Sequence, residues 1–156
     1  MKITADMPIS YIYDATRKGA KFSINDGDSW MNGGELAEVV AKAIHGLDPL
    51  KDHHTRFNEG SDIPEFNASV KSSKASLTNK RLADNFNDSV NAYFAQVASS
   101  EFWYVSIVDE IVTIYKMGTA TFERFVRRFG KLNERGVIRL AKTNATMLAW
   151  LDYNNR

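Results

Sequence analysis

The sequence predicts an α/β fold of the α+β type, in which a central mixed β-sheet is flanked by helices. Four segments repeat apolar residues at helical spacing, and the segments between them alternate apolar and polar residues as strands do. The resulting order is helix, strands, helix, strands, helix, strand, helix, which is typical of a sheet covered by helices. With 156 residues, of which 44% are hydrophobic, the chain suits one compact core. Residues 1–156 are therefore predicted to form a single domain.

The composition excludes several classes of site. The chain contains no cysteine, so a disulfide framework, a thiolate zinc site and a cysteine nucleophile are all ruled out. No apolar run approaches the roughly 18 residues of a membrane span, and the N-terminal MKITADMPIS lacks the apolar core of a signal peptide. A cytoplasmic protein without a membrane partner is the simplest interpretation.

Charge is distributed unevenly along the chain. The formal net charge is +1, yet residues 116–142 carry eight basic side chains against two acids, a local balance of +6 that leaves −5 for the remainder. An acidic front and a basic C-terminal part, about 116–156, suit a protein that holds metal ions with one part and a phosphate backbone with the other. A solvated helix face explains the same basic run.

The first predicted helix spans residues 34–45 and ends at Gly46. Its apolar residues recur at helical spacing, namely Leu36, Val39, Val40, Ala43 and Ile44. At about 100° per residue, Glu35 falls beside this apolar stripe and can reach the edge of a buried site. Residues 1–32 show no sustained period, and no helix or strand is predicted there.

The segment Ser61–Thr78, SDIPEFNASVKSSKASLT, predicts a tight hairpin that follows a short strand near residues 55–57. Apolar and polar residues alternate from Phe66 to Lys71, and Pro64 favours a reversal around Glu65 and Phe66. A hairpin centred there places Asp62 opposite Ser69, on the face that also carries Lys71. Glu65 falls at the far end of the same hairpin.

The remaining elements follow from periodicity and end signals. A long amphipathic helix is predicted from an N-cap at Thr78 to Val97. FWYVSIV and EIVTIYKM are interpreted as two strands around Asp109, TFERFVRRF as a helix opened by Thr121, VIRLAK as a strand and NATMLAWLDY as a closing helix.

An aspartate and a lysine on one face, with other acids nearby, suit metal-dependent phosphodiester cleavage. Carboxylates hold Mg²⁺, for which Mn²⁺ is a possible substitute, and the metal lowers the pKa of a bound water. A lysine near that water or the phosphate helps to stabilise charge. The structural alternative is a surface ion pair between Asp62 and Lys71 that contributes little to stability.

The order of these elements over roughly residues 33–108 resembles the core of the restriction-endonuclease-like, or PD-(D/E)XK, nuclease superfamily. By this similarity, Asp62 takes the place of the metal-binding aspartate of the family and Lys71 that of its lysine. Glu35 corresponds to the additional acid that many members carry on the first helix. The resemblance implies a Mg²⁺-dependent endonuclease of the restriction type, with DNA as the favoured substrate.

Ser69 departs from the family pattern, since it stands where the second metal-binding acid is expected. In some members with serine at this position, a carboxylate of the following helix completes the metal shell. Asp88 or Asp84 could do so here, with Asp88 closer to the flank of the apolar face; Glu35 and Glu65 are the other candidates. Without such an acid, the resemblance implies an inactive module that only binds nucleic acid or another protein.

Two further runs, NGGELAEVV and EGSD, resemble small single-domain restriction enzymes that dimerise. This similarity implies a homodimer with one active site per subunit, because cleavage of both strands requires two sites. The same core occurs in nuclease toxins that cut RNA, so an RNA-cleaving toxin remains the alternative within the enzyme class.

The basic C-terminal helix is the predicted contact to the phosphate backbone. Its cationic residues recur at spacings of three and four and form one stripe: Arg124, Arg127, Arg128 and Lys131. Beyond the hairpin, Lys74, Lys80 and Arg81 could extend this surface. Phe102, Trp103 and Tyr104 are interpreted as core residues of a strand. His45, His53 and His54 are interpreted as exposed loop residues and not as metal ligands.

Overall fold

The computed structural model describes residues 1–6, 33–48, 61–73, 75–77, 85–108 and 111–155. The strands in this part of the chain are β1 (Lys2–Asp6), β2 (Ala68–Ser72), β3 (Ser76–Leu77), β4 (Glu101–Val108), β5 (Ile111–Gly118), β6 (Gly130–Leu132) and β7 (Ile138–Leu140). The α-helices are α1 (Gly33–Ile44), α2 (Phe86–Gln96), α3 (Thr119–Phe129) and α4 (Ala145–Asn154).

The central sheet has four strands in the order β1-β5-β4-β2. β4 and β5 form an antiparallel hairpin, β1 pairs antiparallel with β5, and β2 pairs parallel with β4. Because parallel neighbours require a crossover, α2 connects β2 to β4 across one face of the sheet. The predicted mixed sheet is therefore confirmed. A second, smaller sheet has the order β3-β7-β6.

Both faces of the central sheet are buried, as the alternation in β4 shows. Trp103 and Val105 point into a core that contains the buried residues of α1, whereas Phe102 and Tyr104 point into a core built with α2, α3 and α4. Side chains of a strand alternate between the two faces, so the same strand contributes to both cores. The predicted flanking of the sheet by helices is confirmed.

The helix α1 forms as its periodicity predicts. Its buried residues are Ala37, Val39, Val40 and Ala41, all within the core that also contains Trp103. Lys42 is buried as well, and its Nζ lies 3.0 Å from Glu38 Oε1, one helical turn away. Gly46 adopts a φ of 71° just after the helix, a conformation that glycine adopts without steric cost.

Two predicted helix starts are wrong. α2 begins at Phe86 and not after Thr78, because Asn85 is its N-cap and accepts a hydrogen bond from the Asp88 N–H; residue 78 itself lies outside the described residues. α3 begins at Thr119 directly after β5, two residues before the predicted Thr121. The start of α2 is set by the side chain of Asn85, whereas α3 has no side-chain cap and begins directly after Gly118, the last residue of β5.

Three strands were not predicted from the sequence, because each is short or lies at an edge and is stabilised by its partner; one is β3, whose two residues pair with β7. β1 lies at one edge of the central sheet and pairs with β5 from Lys2 to Asp6. β6 has only three residues and pairs with β7 directly after α3. The predicted strand near residues 55–57 lies outside the described residues. Among the described residues, no helix combines the length and the apolar surface that crossing a bilayer requires.

Candidate active site

The segment before β2 folds back on the strand as a tight reversal. Ile63 forms an isolated antiparallel bridge with Ala68, with mutual N–H to carbonyl distances of 3.0 and 3.2 Å. Pro64–Phe66 forms one turn of 3₁₀ helix, and Asn67 reaches a φ of 48° to complete the reversal. The Ile63–Ala68 pair continues the register that sets Asp62 opposite Ser69. The first arm of the hairpin is a single bridge and not the predicted strand.

Asp62 is anchored to the outer edge of β2. Its Oδ2 atom accepts a hydrogen bond of 2.8 Å from the Val70 N–H. This N–H points away from β4, because it lies on the same side of the strand as the groups of Ala68 that pair with Ile63. The half-buried carboxylate thus satisfies a backbone donor and is held in place next to Lys71.

Lys71 lies on the face of β2 that is directed towards α2. It is half-buried, and this burial lowers the pKa of its ammonium group, while the negative charge of Asp62 partly opposes the shift. A lysine with a lowered pKa is partly neutral at a lower pH than an exposed lysine. A lowered pKa brings the lysine closer to the range in which general bases and acids exchange protons.

Tyr93 of α2 completes this cluster, although the sequence indicated only a core position for it. Burial raises the pKa of its hydroxyl, and the charge of Asp62 raises it further. Asp62 therefore acts electrostatically on Lys71 from its own segment and on Tyr93 from the opposing helix. No short motif in the sequence links Tyr93 to the hairpin, because the contact depends on how α2 crosses the sheet.

Ser69 has a neutral environment. Its Oγ atom lies 2.7 Å from Ser99 Oγ, and the two residues are only 8% and 6% exposed. Ser99 lies two residues before the start of β4 and was not identified from the sequence. The position expected to carry a second acid is therefore occupied by a buried pair of hydroxyl groups.

The candidate replacement acids are not gathered around Asp62 in the described residues. Asp88 is exposed in the first turn of α2, where its carboxylate accepts a hydrogen bond of 2.8 Å from Asn85 Nδ2. Glu65 is exposed in the 3₁₀ turn. The side chain of Glu35 and all of Asp84 lie outside the described part of the chain. Within that part, no group of three potential metal ligands is found.

The residues of the predicted basic stripe differ in their contacts with the rest of the protein. Arg127 donates from Nη1 to Asn87 Oδ1 at 2.8 Å and from Nη2 to Asn91 Oδ1 at 2.9 Å, which joins α3 to α2. Arg124 donates to Asn154 Oδ1 at 2.5 Å and lies over the Trp150 ring.

The other basic positions have fewer contacts or lie elsewhere. Arg128 is exposed over the Phe129 ring, and Lys131 is exposed in β6. Lys74, Lys80 and Arg81 lie outside the described residues. All four residues are exposed, but only Arg124 and Arg127 donate to side chains of the described residues, so Arg128 and Lys131 are the members of the stripe that best suit contact with phosphates.

The interpretation of His45 as an exposed loop residue is wrong. Its ring stacks on Trp103 with centroids 4.5 Å apart, and its Nδ1 atom lies 2.6 Å from the Ala41 carbonyl oxygen. Its Nε2 atom is buried without a hydrogen-bond partner in the described residues. Lys116 lies over the same indole, 4.2 Å from its centroid. His53 and His54 lie outside the described residues.

This environment predicts that the protein loses stability on mild acidification. Burial lowers the pKa of His45, and the nearby Lys116 lowers it further, although the Ala41 carbonyl and Glu101 oppose the shift. The unfolded chain, with a histidine pKa of about 6.5, therefore binds more protons than the folded chain just below that pH. The His45 contribution is fully present above pH 6.5 and falls as the pH drops towards the folded-state pKa.

Urea unfolding of the wild type and of His45→Gln between pH 7.5 and 5 measures this contribution. The wild type should lose more unfolding free energy over this range than the variant, because only the wild type carries the titrating ring. Equal losses in the two proteins would show that carboxylates alone account for the pH dependence.

Comparison of the chain with protein-family models, curated proteins and solved structures finds no match. The arrangement of Asp62, Ser69, Lys71 and Tyr93 within this fold is therefore the basis for a proposed function.

Proposed function

We propose that the protein is a Mg²⁺-dependent endonuclease that hydrolyses phosphodiester bonds in DNA, built on the PD-(D/E)XK core that its sequence resembles. The observation that carries the proposal is an Asp62 carboxylate, anchored at the edge of β2, whose charge acts on the half-buried Lys71. A lysine of lowered pKa near a carboxylate is an arrangement that suits proton transfer in a hydrolytic site. The proposal includes a cytoplasmic homodimer with one site per subunit.

The described donor set fits a metal ion only in part. Asp62 offers its Oδ1 atom, since Oδ2 already accepts the Val70 N–H. Ser69 is engaged with Ser99, and Asp88 accepts a hydrogen bond from Asn85, the N-cap of α2. A Mg²⁺ ion prefers several oxygen ligands and retains waters. The proposed metal site therefore needs a further carboxylate from outside the described side chains. The sequence indicates Glu35 of α1 as the candidate.

The residues of the chain have distinct roles in the proposed reaction. Hydrolysis forms a bond between a water oxygen and phosphorus and breaks the bond from phosphorus to the leaving oxygen. Lys71 in its neutral form accepts a proton from the attacking water, and in its charged form it stabilises the negative charge of the phosphate. Asp62 positions Lys71 by charge. Tyr93 closes the cluster from α2 and excludes water from one side.

Incubation with plasmid DNA and, separately, total RNA tests the proposal, each with Mg²⁺ and with a chelator. We expect DNA cleavage that requires the metal and that is lost in Asp62→Asn. This variant keeps an oxygen acceptor for the Val70 N–H, so it removes the charge while retaining the hydrogen bond. Selective loss of RNA would identify the RNA-cleaving alternative. Cleavage by Asp62→Asn at the wild-type rate would contradict the assigned site.

Two neighbouring residues of the basic stripe, Arg127 and Arg128, allow a role in DNA binding to be distinguished from a role in stability. Arg128→Ala should weaken DNA binding and reduce its salt dependence, with little change in stability, because Arg128 is exposed. Arg127→Ala should instead lower the unfolding free energy by about 1–3 kcal/mol, because it removes both hydrogen bonds to α2.

Binding titrations at two salt concentrations, together with urea unfolding, measure both effects. If Arg127→Ala weakens binding without destabilising the fold, the contacts to Asn87 and Asn91 do not hold the two helices together. If Arg128→Ala binds DNA as the wild type does, the phosphate contact lies elsewhere.

A second candidate function is a nucleic-acid-binding module that has lost catalysis. The Ser69–Ser99 pair favours it, because two neutral hydroxyl groups occupy the position of a metal-binding acid. Nucleic-acid binding that is indifferent to Mg²⁺ and to Asp62→Asn, without cleavage of DNA or RNA, would support this function over the endonuclease.

A further inference from the structure

A cavity of about 520 Å³ opens where the parallel strands β2 and β4 end. Ser72 and Ser73, which directly follow Lys71, line it from β2, and Ser106 lines it from β4. In open α/β sheets, ligands bind outside the carboxyl ends of parallel strands, where loops and helix ends converge. The volume also lies in the range of about 300–1,000 Å³ that is typical of small-molecule sites.

The walls of the cavity have two chemical characters. Apolar side chains from the sheet and from two helices form one part: Ala37, Val105, Ile107 and Leu148. Hydroxyl groups, a lysine and the start of α4 form the other part: Ser72, Ser73, Ser106, Lys142 and Thr143. A ligand that fills both parts has an apolar or aromatic body and a charged or strongly polar end.

The Ser106 hydroxyl is available to such a ligand. Ser106 is only 8% exposed, and no hydrogen bond of its side chain is found within the described residues. Its Oγ atom is not among the polar atoms that are fully shielded from solvent, so the hydroxyl is open to the cavity, and a ligand there can supply the hydrogen-bond partner that the protein does not. Among the cavity residues, this group is the clearest indication of a ligand.

The polar rim is held in a fixed position by its own hydrogen bonds. The Thr143 N–H donates to Ser73 Oγ at 2.9 Å, and Thr143 Oγ1 lies 2.5 Å from the Tyr104 hydroxyl. These contacts connect the segment before α4 to the end of β2 and to the central strand. The rim therefore needs little reorganisation on binding, which lowers the entropic cost of association.

The polar end of the cavity is suited to an anion. Asn144 caps α4 by accepting a hydrogen bond of 3.0 Å from the Met147 N–H, and no acidic residue lies in the first turn of the helix. Backbone N–H groups and the helix dipole favour negative charge at such an end. Lys142 adds an exposed cation two residues before the cap.

We propose that this cavity binds a nucleoside monophosphate unit. The phosphate lies at Lys142 and the start of α4, Ser106 forms a hydrogen bond with the sugar or phosphate, and the base lies on the apolar wall. This binding goes beyond the proposed cleavage reaction and does not depend on it. Lys71 pairs with Tyr104, and Ser106 follows Tyr104 by two residues on the same face of the sheet, so a bound unit that belongs to a polynucleotide lies on the side that carries the candidate active site.

Calorimetric titration of the full chain with AMP, adenosine and inorganic phosphate tests the proposal, with a chelator present throughout so that no metal-dependent cleavage occurs. AMP should bind at least about tenfold more tightly than adenosine or phosphate alone, since only AMP fills both parts of the cavity. Ser106→Ala should weaken AMP binding about fivefold, and Lys142→Gln about tenfold. Arg135→Gln, which makes the same charge change in an exposed turn, should leave AMP binding unchanged.

Absence of AMP binding, or equal AMP affinity in the wild type, Ser106→Ala and Lys142→Gln, would overturn the proposal. Circular dichroism of each variant checks that it is folded, and neither substitution removes a packed side chain. Displacement of AMP by a short 5′-phosphorylated oligonucleotide would support the cavity as a site for one unit of a polynucleotide. AMP binding that the oligonucleotide does not displace would support it as a site for a free mononucleotide.

Discussion

Replacing Lys71 with alanine is expected to lower the rate of DNA cleavage by a factor of about 10²–10⁴, the usual contribution of a positioned proton-transfer group. Among the described residues, Lys71 is the one basic side chain whose pKa is influenced both by burial and by the charge of Asp62. Removing its amine leaves Asp62 anchored to the Val70 N–H, so the rest of the cluster stays in place.

Single-turnover cleavage assays measure this loss, and the pH dependence of the wild type gives a second readout. Because burial lowers the pKa of Lys71, its neutral amine becomes populated at a lower pH than that of an exposed lysine, so cleavage should increase with pH below the ordinary lysine range. A flat profile would indicate that Lys71 acts through its positive charge alone.

Lys2→Ala is the matched control for Lys71→Ala. Lys2 lies on β1, at the opposite edge of the same sheet, where its Nζ atom pairs with Asp152 at 2.5 Å. Both variants lose one lysine, so the net charge of the protein changes equally. Comparable losses of cleavage in the two variants would assign the effect to overall charge and not to the candidate site.

Phe122→Ala is expected to lower the unfolding free energy by about 3–5 kcal/mol, which is the cost of truncating a fully buried phenylalanine. Phe122 of α3 is fully buried and stacks on Phe102 of β4, with centroids 4.4 Å apart and ring planes only 8° from parallel. It also contacts the rings of Phe94 and Phe125. The substitution therefore opens a cavity between α3 and the sheet.

Urea unfolding measures the effect of Phe122→Ala, and Tyr153→Ala serves as its control. Tyr153 is 69% exposed on α4, so its truncation should change the unfolding free energy by about 1 kcal/mol or less. Since small domains are stable by only about 5–15 kcal/mol, Phe122→Ala should also shift the thermal midpoint by many degrees. A loss as small as that of Tyr153→Ala would mean that the core closes around the missing ring.

The elements that the sequence predicts well are those whose pattern is local and long. β4 and β5 are each eight residues long, and α1 repeats its apolar residues over three turns. Patterns of this length determine the type of element regardless of the partner. β1 and β6 lack such a pattern, because pairing with β5 and β7 stabilises them.

The first residue of α2 is set by side-chain capping and cannot be predicted from the spacing of apolar residues. Thr78 has the residue type of an N-cap, but Asn85 does as well, and only Asn85 is followed by Asp88 at the spacing that allows two reciprocal hydrogen bonds. That bonding also engages Asp88, the acid that sequence reasoning assigned to the metal. The same local geometry therefore fixed the helix boundary and the environment of a candidate ligand.

The sequence by itself determined the types of the main elements, their mixed arrangement and the register that sets Asp62 opposite Ser69, because these depend on spacing within short segments. Only the tertiary structure decided that Lys71 is half-buried, that Asp62 acts electrostatically on Tyr93 of α2, that Ser69 pairs with Ser99, and that Arg127 is bound to α2. The last three interactions join residues that are 30 or more positions apart, and the packing of helices on the sheet brings them together.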